Sequence, residues 1–331
     1  MDLYRKHCRR TGTGWLAAAI LLVVGAFVLS LFLGKYPLSL GDLLAGEEQA
    51  RRVFFTLRLP RTCMALAGGF GLGAAGQVYQ MVFRNPLAAP DVVGVSSGAS
   101  AGAASAILFL SAAPAMVTLG AFVGGLLAVL LALGLSALAP GRGHSSIVLA
   151  GVAVHSLAQT VLMVLKLTAD PEKELASIEY WIMGSLNAVT LSKLKVPLLV
   201  CGAGLVVLFV LYRQIQLLSV EEAEARMLGV MVGRMRLLVL LAATLAVTAV
   251  VSVTGLISFV GLLAPHTARL LLPGNGRDSL WLGGFAGSIL LCGADMLARS
   301  VASAELPVSI FTSLLGAPFL IYLMMRKEGR G

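Results

Sequence analysis

The clearest shortage in this sequence is charge. Only 12% of its 331 residues are Asp, Glu, Lys or Arg, whereas 58% are hydrophobic. A soluble domain carries about 25% charged residues, so this composition excludes an ordinary soluble protein. Glycine (37 residues) and proline (12 residues) recur inside the apolar runs, which is typical of a polytopic helical membrane protein.

The sequence also has few cysteines and no nucleotide-binding motif. Its four cysteines are Cys8, Cys63, Cys201 and Cys292; none forms a CxxC pair, and three lie in apolar runs. This spacing predicts neither a disulfide framework nor a zinc site, and no intrinsic cofactor is expected. Because no GxxxxGK[ST] loop occurs, an ATP-driven function would need its ATP and Mg²⁺ on another chain.

Catalytic motifs are missing in the same way. The sequence has no HExxH and no paired Asp motif. Its one GxSxG match, Gly94 to Gly98, lies in the glycine-rich apolar run 92–110 and not on a predicted strand-to-helix turn, so we do not expect an enzyme. The net charge of +9 would suggest nucleic acid in a soluble protein. Here the basic residues lie between apolar runs, so membrane topology explains them better and no nucleic-acid partner is expected.

In place of these features the chain has a series of long apolar runs. Nine are long enough to cross ~30 Å of hydrocarbon: about 15–33, 62–82, 92–110, 115–138, 146–166, 194–212, 235–253, 279–298 and 307–325. A tenth run, 256–272, is ambiguous because it contains Pro265, His266 and Arg269. Counting it predicts an all-α protein with ten spans in a single transmembrane domain, residues 1–331.

The basic residues also predict an orientation. The first run, from Trp15 to Leu33, follows a basic N-terminus and has no small-x-small cleavage site before Lys35, so we interpret it as a retained span. With that N-terminus in the cytoplasm, 15 of the 25 Lys and Arg residues lie inside, a modest excess in the expected direction. The loop 167–192 then lies outside, and both termini are cytoplasmic.

Small residues recur at every fourth position in several runs. The rows are Gly69 and Gly73; Gly94, Gly98 and Gly102; Gly120 and Gly124; and Gly283 and Gly287. Such rows let helix backbones approach closely. We predict tight packing within one bundle, with a dimer seam as the alternative.

One cytoplasmic loop carries strong helix signals. Ser219 and Glu222 fit a capping box, Arg226 falls in the predicted last turn, and Gly229 fits a left-handed stop. The pattern predicts a short helix at about 220–228 within the segment 219–229. Its apolar residues are Val220, Ala223, Met227 and Leu228. Either the bundle itself or a groove on a partner protein must cover these four apolar side chains.

Six segments together resemble one family, the FecCD-type permeases of bacterial ABC importers. They run in order from residue 57 to residue 319: 57–61, 83–98, 222–230, 255–269, 304–308 and 315–319. The resemblance implies the ten-helix type II importer fold. It also implies a homodimer in the inner membrane, two ATP-binding subunits and a periplasmic binding protein. The implied cargo is an iron-siderophore, haem or cobalamin.

The resemblance also implies roles for particular residues. It makes Arg58, Arg61 and Arg299 contacts for glutamates of the binding protein; the alternative is arginines that anchor span ends at the interface. It makes the segment from Glu222 to Val230, which includes Ala223, the coupling helix that enters a cleft of the ATP-binding subunit.

The fifth span carries polar residues one turn apart: Gly151, His155 and Gln159. The resemblance places this span along the translocation path. A structural hydrogen bond to a neighbouring helix is the alternative for His155.

A second class of function stays open on the residues alone. A secondary transporter driven by an ion gradient needs an acid inside the membrane as its coupling site. Asp295 is the one acid well inside a predicted span, so a single residue supports the secondary-transporter alternative.

Overall fold

The chain is helical throughout the part that the structure describes. The structure is a computed structural model and describes residues 2–138, 144–272, 276–301 and 304–328, without side chains at 2–12, 144–145, 323–324 and 326–328. The helices are α1 (Asp2–Phe32), α2 (Leu40–Leu44), α3 (Glu48–Arg52), α4 (Leu59–Phe83), α5 (Val95–Phe109), α6 (Pro114–Leu138), α7 (His144–Thr168), α8 (Ala176–Met183), α9 (Leu191–Val210), α10 (Tyr212–Leu218), α11 (Glu222–Met227), α12 (Val232–Thr254), α13 (Val260–Leu271), α14 (Arg277–Ala298) and α15 (Val308–Glu328). Two π-helical turns (Val53–Arg58 and Pro171–Leu175) and one 3₁₀ turn (Pro90–Val93) complete the set.

Each of the ten apolar runs corresponds to one helix of the described chain. Six helices of the described chain are long and apolar enough to cross a membrane by length and composition: α1, α6, α7, α9, α12 and α14. The remaining four, α4, α5, α13 and α15, pack among or beside them. The predicted all-α, multi-span architecture is confirmed.

The ambiguous run 256–272 forms a short helix. α13 has 12 residues, about 18 Å at 1.5 Å per residue, which falls short of the ~30 Å hydrocarbon core. Phe259, just before it, has a φ of 66°, and Pro265 lies inside it. This segment therefore does not form a full straight span.

The glycine rows lie where helices touch. A Cβ on Gly102 of α5 would lie 2.1 Å from the Gly120 carbonyl oxygen of α6, and one on Gly73 of α4 would lie 2.3 Å from the Gly283 oxygen of α14. Only glycine permits such close backbones. The predicted packing within one bundle is confirmed for these rows.

The bundle has two groups of helices with α4 and α12 at its centre. α4 is buried along most of its length and contacts α9, α12, α13 and α14, while α1 packs against α14. The second group is α5, α6 and α7, and α12 joins the two groups. The outer helices display large apolar side chains such as Leu21, Leu131 and Leu157, as expected for surfaces that face lipid.

Candidate functional site

The candidate residues lie at the two ends of the bundle and on one outer helix. α11 leads into the start of α12. At the other end of α12, the Ser185 N–H donates to the Thr254 carbonyl (2.6 Å), and Arg61 donates to Asn187 two residues further on (3.3 Å). The short helix α11 and the arginine cluster are therefore at opposite ends of the molecule.

The start of α11 differs from the prediction. Ser219 has helical backbone angles, and its hydroxyl donates back to the Gln216 carbonyl (2.7 Å). Ser219 therefore ends α10, and the predicted capping box with Glu222 is wrong. The N-cap position is Glu221, which makes no side-chain cap bond, so the helix spans Glu222–Met227 rather than 220–228.

Glu222 instead ties α11 to the bundle. Its carboxylate accepts hydrogen bonds from Arg226 (2.6 Å) and from Arg236 in the first turns of α12 (3.2 Å). Arg236 is 7% exposed. Partial burial would raise the pKa of Glu222, but the two arginines outweigh it and hold that pKa below its ordinary value. Arg236 lies 14 residues away, so sequence spacing gave no signal for this contact.

The end of α11 matches the prediction. Gly229 has a φ of 81°. Its N–H donates to the Arg226 carbonyl (3.0 Å), and the Val230 N–H donates to the Ala225 carbonyl (3.1 Å). This pair of bonds is a Schellman motif, which ends a helix sharply. The predicted left-handed stop at Gly229 is confirmed.

The largest apolar side chains of this segment are exposed, whereas Val220 is half-buried against the core. Ala225 is buried, whereas Met227 is 80% exposed, Leu228 60% and Met231 65%; Ala223 is exposed as well. We call Met227, Leu228 and Met231 the methionine patch. The bundle covers Ala225 fully and Glu222 in part, whereas the methionine patch is open to a partner.

At the other end, Arg58 closes the end of α1. Its guanidinium donates to the carbonyl oxygens of Leu31 (2.8 Å), Phe32 (2.7 Å) and Tyr36. The whole residue is 5% exposed. Since the last carbonyls of a helix lack partners within it, Arg58 supplies donors that hold α1 to the start of α4.

Arg61 and Arg299 enclose a buried acid. Asp295 of α14 is fully buried and lies 2.7 Å from Arg61 and 3.5 Å from Arg299. Arg61 also pairs with Glu305 (2.8 Å), and Arg299 donates to the backbone and hydroxyl oxygens of Ser30 (2.7 and 2.6 Å). The cluster therefore joins α1, α4, α14 and the segment before α15.

This burial bears on two expectations. Arg58, Arg61 and Arg299 are each at most 7% exposed, so their guanidinium groups do not stand free for a partner as surface-anchored arginines would. Their present contacts are internal. Asp295 is held between two cations, an arrangement that fits a structural counter-ion and leaves the secondary-transporter alternative without an unpaired acid at its expected coupling position.

The three residues of α7 do not form one surface. A Cβ on Gly151 would lie 2.8 Å from the Val92 carbonyl oxygen, so this glycine packs against the 3₁₀ turn. His155 is half-buried, and its Nδ1 is buried without a hydrogen-bond partner in the described part of the chain. Gln159 is exposed. Within the described residues no group of three or more His, Cys, Asp or Glu could hold a metal ion.

Comparison with known proteins agrees with this architecture. The FecCD transport family matches residues 21–326. The cobalamin import permease BtuC of Halobacterium salinarum is 38% identical over 86% of this chain and 76% of its own. The molybdate import permease MolB of Haemophilus influenzae is 35% identical over 93% of this chain and 94% of its own. A solved structure described as the inward-facing conformation of a metal-chelate type ABC transporter superposes with a TM-score of 0.83 at 33% identity, covering 95% of this chain and 99% of the other.

These matches define a multi-span membrane permease with the type II ABC importer fold. The chain belongs to the FecCD transport family.

Proposed function

We propose that this chain is the permease subunit of an ATP-driven importer that carries a metal chelate from the periplasm to the cytoplasm. The cargo class is an iron-siderophore, haem or cobalamin. The working assembly contains a second copy of the chain, two ATP-binding subunits that hold ATP and Mg²⁺, and a periplasmic binding protein. Relatives named for cobalamin and for molybdate import support metal-related uptake without selecting one cargo.

The observation that carries the proposal is the exposed methionine patch beside a firmly ended short helix. Met227 and Leu228 are 80% and 60% exposed, and large apolar side chains grouped in this way mark a protein contact. The patch lies outside the spans, where a soluble partner can reach it. We therefore assign α11 as the coupling helix that docks in an ATP-binding subunit.

The contacts of α11 suit it to transmit a displacement. The Schellman motif fixes its end, and Glu222 links it to Arg236 of α12. α12 is buried over most of its length and contacts α4, α5, α6 and α9. Packed helices move as units, so a push on α11 passes to the centre of the bundle.

We propose that the arginine cluster contacts the binding protein through Arg61, with Arg58 and Arg299 in supporting roles. Arg61 is itself buried, but the side chain of its ion-pair partner Glu305 is 32% exposed, so a partner protein can reach this ion pair from the Glu305 side. A carboxylate of the binding protein would replace Glu305 there. Arg58 and Arg299 support this contact by holding α1 in place.

For the pathway we propose that α7 faces the second copy. Its apolar residues Leu157, Met163 and Val164 are exposed by 63%, 70% and 55%, which a neighbouring subunit would cover. Gln159 is exposed as well and would then line the path. His155 is a half-buried neighbour of that path, and Gly151 is its packing support.

Transport by reconstituted protein tests the function. Co-express the chain with an ATP-binding subunit and binding protein encoded beside it, and reconstitute the complex in liposomes. We expect uptake of a ferric siderophore, haem or cobalamin that requires ATP and the binding protein. Uptake driven by a proton or sodium gradient without ATP would contradict the proposal.

Labelling of single cysteines tests the proposed orientation. Ser177 and Ala223 are both exposed and lie at opposite ends of the bundle. An impermeant maleimide added to spheroplasts should label Ser177→Cys and leave Ala223→Cys unlabelled until the membrane is opened. The reverse pattern would place the termini outside.

A further inference from the structure

Two adjoining cavities open at the end of the bundle that carries the arginine cluster. The first has a volume of about 670 Å³ and the second about 640 Å³, and both are bordered by Pro114, Thr118, Lys193, Ser252 and Val253. Each lies within the range of about 300–1,000 Å³ typical of ligand sites. They are formed by the first turns of α6 and α9 and the last turns of α12.

The two cavities differ in chemistry. The second is lined mainly by apolar side chains of three spans, among them Leu119, Phe122, Val196 and Val200. Its rim includes Leu119 and Val196, which are 56% and 67% exposed. An apolar rim on the side of a membrane bundle faces hydrocarbon, so this cavity opens laterally to lipid tails.

The first cavity has more polar and aromatic groups in its walls than the second. Its walls include Glu172, Lys173, Ser177, Tyr180 and Trp181 from the segment that contains α8. Trp and Tyr concentrate at the depth of lipid headgroups. This cavity is therefore placed where headgroups lie, and the apolar cavity beside it where acyl chains lie.

Lys193 stands at the junction of the two cavities. It is half-buried in the first turn of α9, and its ammonium donates to the Ala188 carbonyl (3.1 Å). An ammonium has three N–H donors, so this group can hold an anion while it keeps that bond. A cation between a headgroup-level cavity and an acyl-level cavity matches the charge layout of a glycerophospholipid.

We propose that these cavities form a specific phospholipid site, with the headgroup phosphate at Lys193 and an acyl chain between α6, α9 and α12. A bound lipid would fill the gap between α6 and α9 and brace both against α12. This inference rests on the membrane location of the chain and does not depend on the transported cargo.

Retained lipid tests the site directly. Purify the full chain in mild detergent with its assembly and count bound phospholipid per chain by native mass spectrometry. Compare wild type with Lys193→Glu, with Val200→Phe, which fills the apolar cavity, and with Lys195→Glu. Lys195 is an exposed residue of the same helix that borders neither cavity, so it is the matched control.

We expect wild type and Lys195→Glu to retain one phospholipid per chain that the other two variants lose at least tenfold. Added phospholipid should raise the Tm of wild type and Lys195→Glu but not that of Lys193→Glu. Equal retention and equal Tm shifts in all four proteins would overturn the proposal. So would finding a protein segment in the cavities.

Discussion

Truncating Met227 and Leu228 of the methionine patch tests the proposed coupling helix most specifically. Fully burying a Met or Leu side chain is worth about 1.5–3 kcal/mol. Met227 and Leu228 are 80% and 60% exposed in the chain, so most of that burial is still available to a partner. Met227→Ala with Leu228→Ala should therefore cost roughly 2–4 kcal/mol of binding, or about thirty- to several-hundred-fold in Kd.

The stability of the chain should change little, because both side chains are mostly exposed. A matched control exists at the opposite end: Leu40 and Leu44 of α2 are 63% and 86% exposed. Leu40→Ala with Leu44→Ala removes similar apolar surface where no ATP-binding subunit would lie.

The assay is titration of the purified ATP-binding subunit onto each permease in nanodiscs, with Tm and expression measured in parallel. We expect weaker binding and loss of ATP-driven uptake for the α11 variant alone. Wild-type affinity in a normally folded Met227→Ala, Leu228→Ala protein would refute the assignment of α11.

Three further predictions concern packing and charge. Asp295→Asn should lower the free energy of unfolding by about 3–5 kcal/mol, because it leaves buried arginines without their shared counter-ion. Thermal unfolding measures this change. Unchanged stability together with an altered ion dependence of transport would restore the secondary-transporter alternative. Gly120→Ala should lower the free energy of unfolding by about 1–3 kcal/mol, because its Cβ would lie 2.5 Å from the Gly102 carbonyl oxygen. Gly134→Ala on the same helix is the control: its Cβ would meet nothing within 4 Å, so it should be neutral in the same unfolding assay. The pKa of Glu222 is lowered, so the stabilising contact between its carboxylate and Arg236 is present above the ordinary carboxyl pKa of 4.5 and is lost as the pH falls through the lowered value. A spin label on α11 should therefore become more mobile only below pH 4.5. Mobility that rises nearer neutral pH would show that this carboxylate does not hold α11 to α12.

Local signals in the sequence were enough to predict the spans and their packing surfaces. Apolar runs of sufficient length predicted the helices because each run is continuous in sequence. The rows that include Gly102 and Gly73 predicted close contacts because only glycine permits them. The stop at Gly229 was readable because a left-handed position favours glycine.

The contacts between distant residues could not be read in this way. Arg61 and Asp295 are 234 positions apart, and no spacing rule connects them. Arginines at span ends were therefore interpreted as docking contacts or as interfacial anchors. The fold buries Arg61 and Arg299 on a shared acid and Arg58 on the end of α1. The capping-box prediction for Ser219 was wrong for a local reason. Its hydroxyl donates to the Gln216 carbonyl at the end of α10 and does not cap the start of α11.

The central claim is that α11 lies in a cleft of an ATP-binding subunit, and site-specific photo-crosslinking at Met227 tests it most directly. Met227 is 80% exposed, so a photoreactive amino acid there should leave the fold intact. Irradiation of intact membranes should join the chain to a subunit that carries a GxxxxGK[ST] motif, identified by mass spectrometry. The same probe at Leu44 should not capture that subunit. Crosslinks from position 227 only to lipid, or only within the permease itself, would contradict the account.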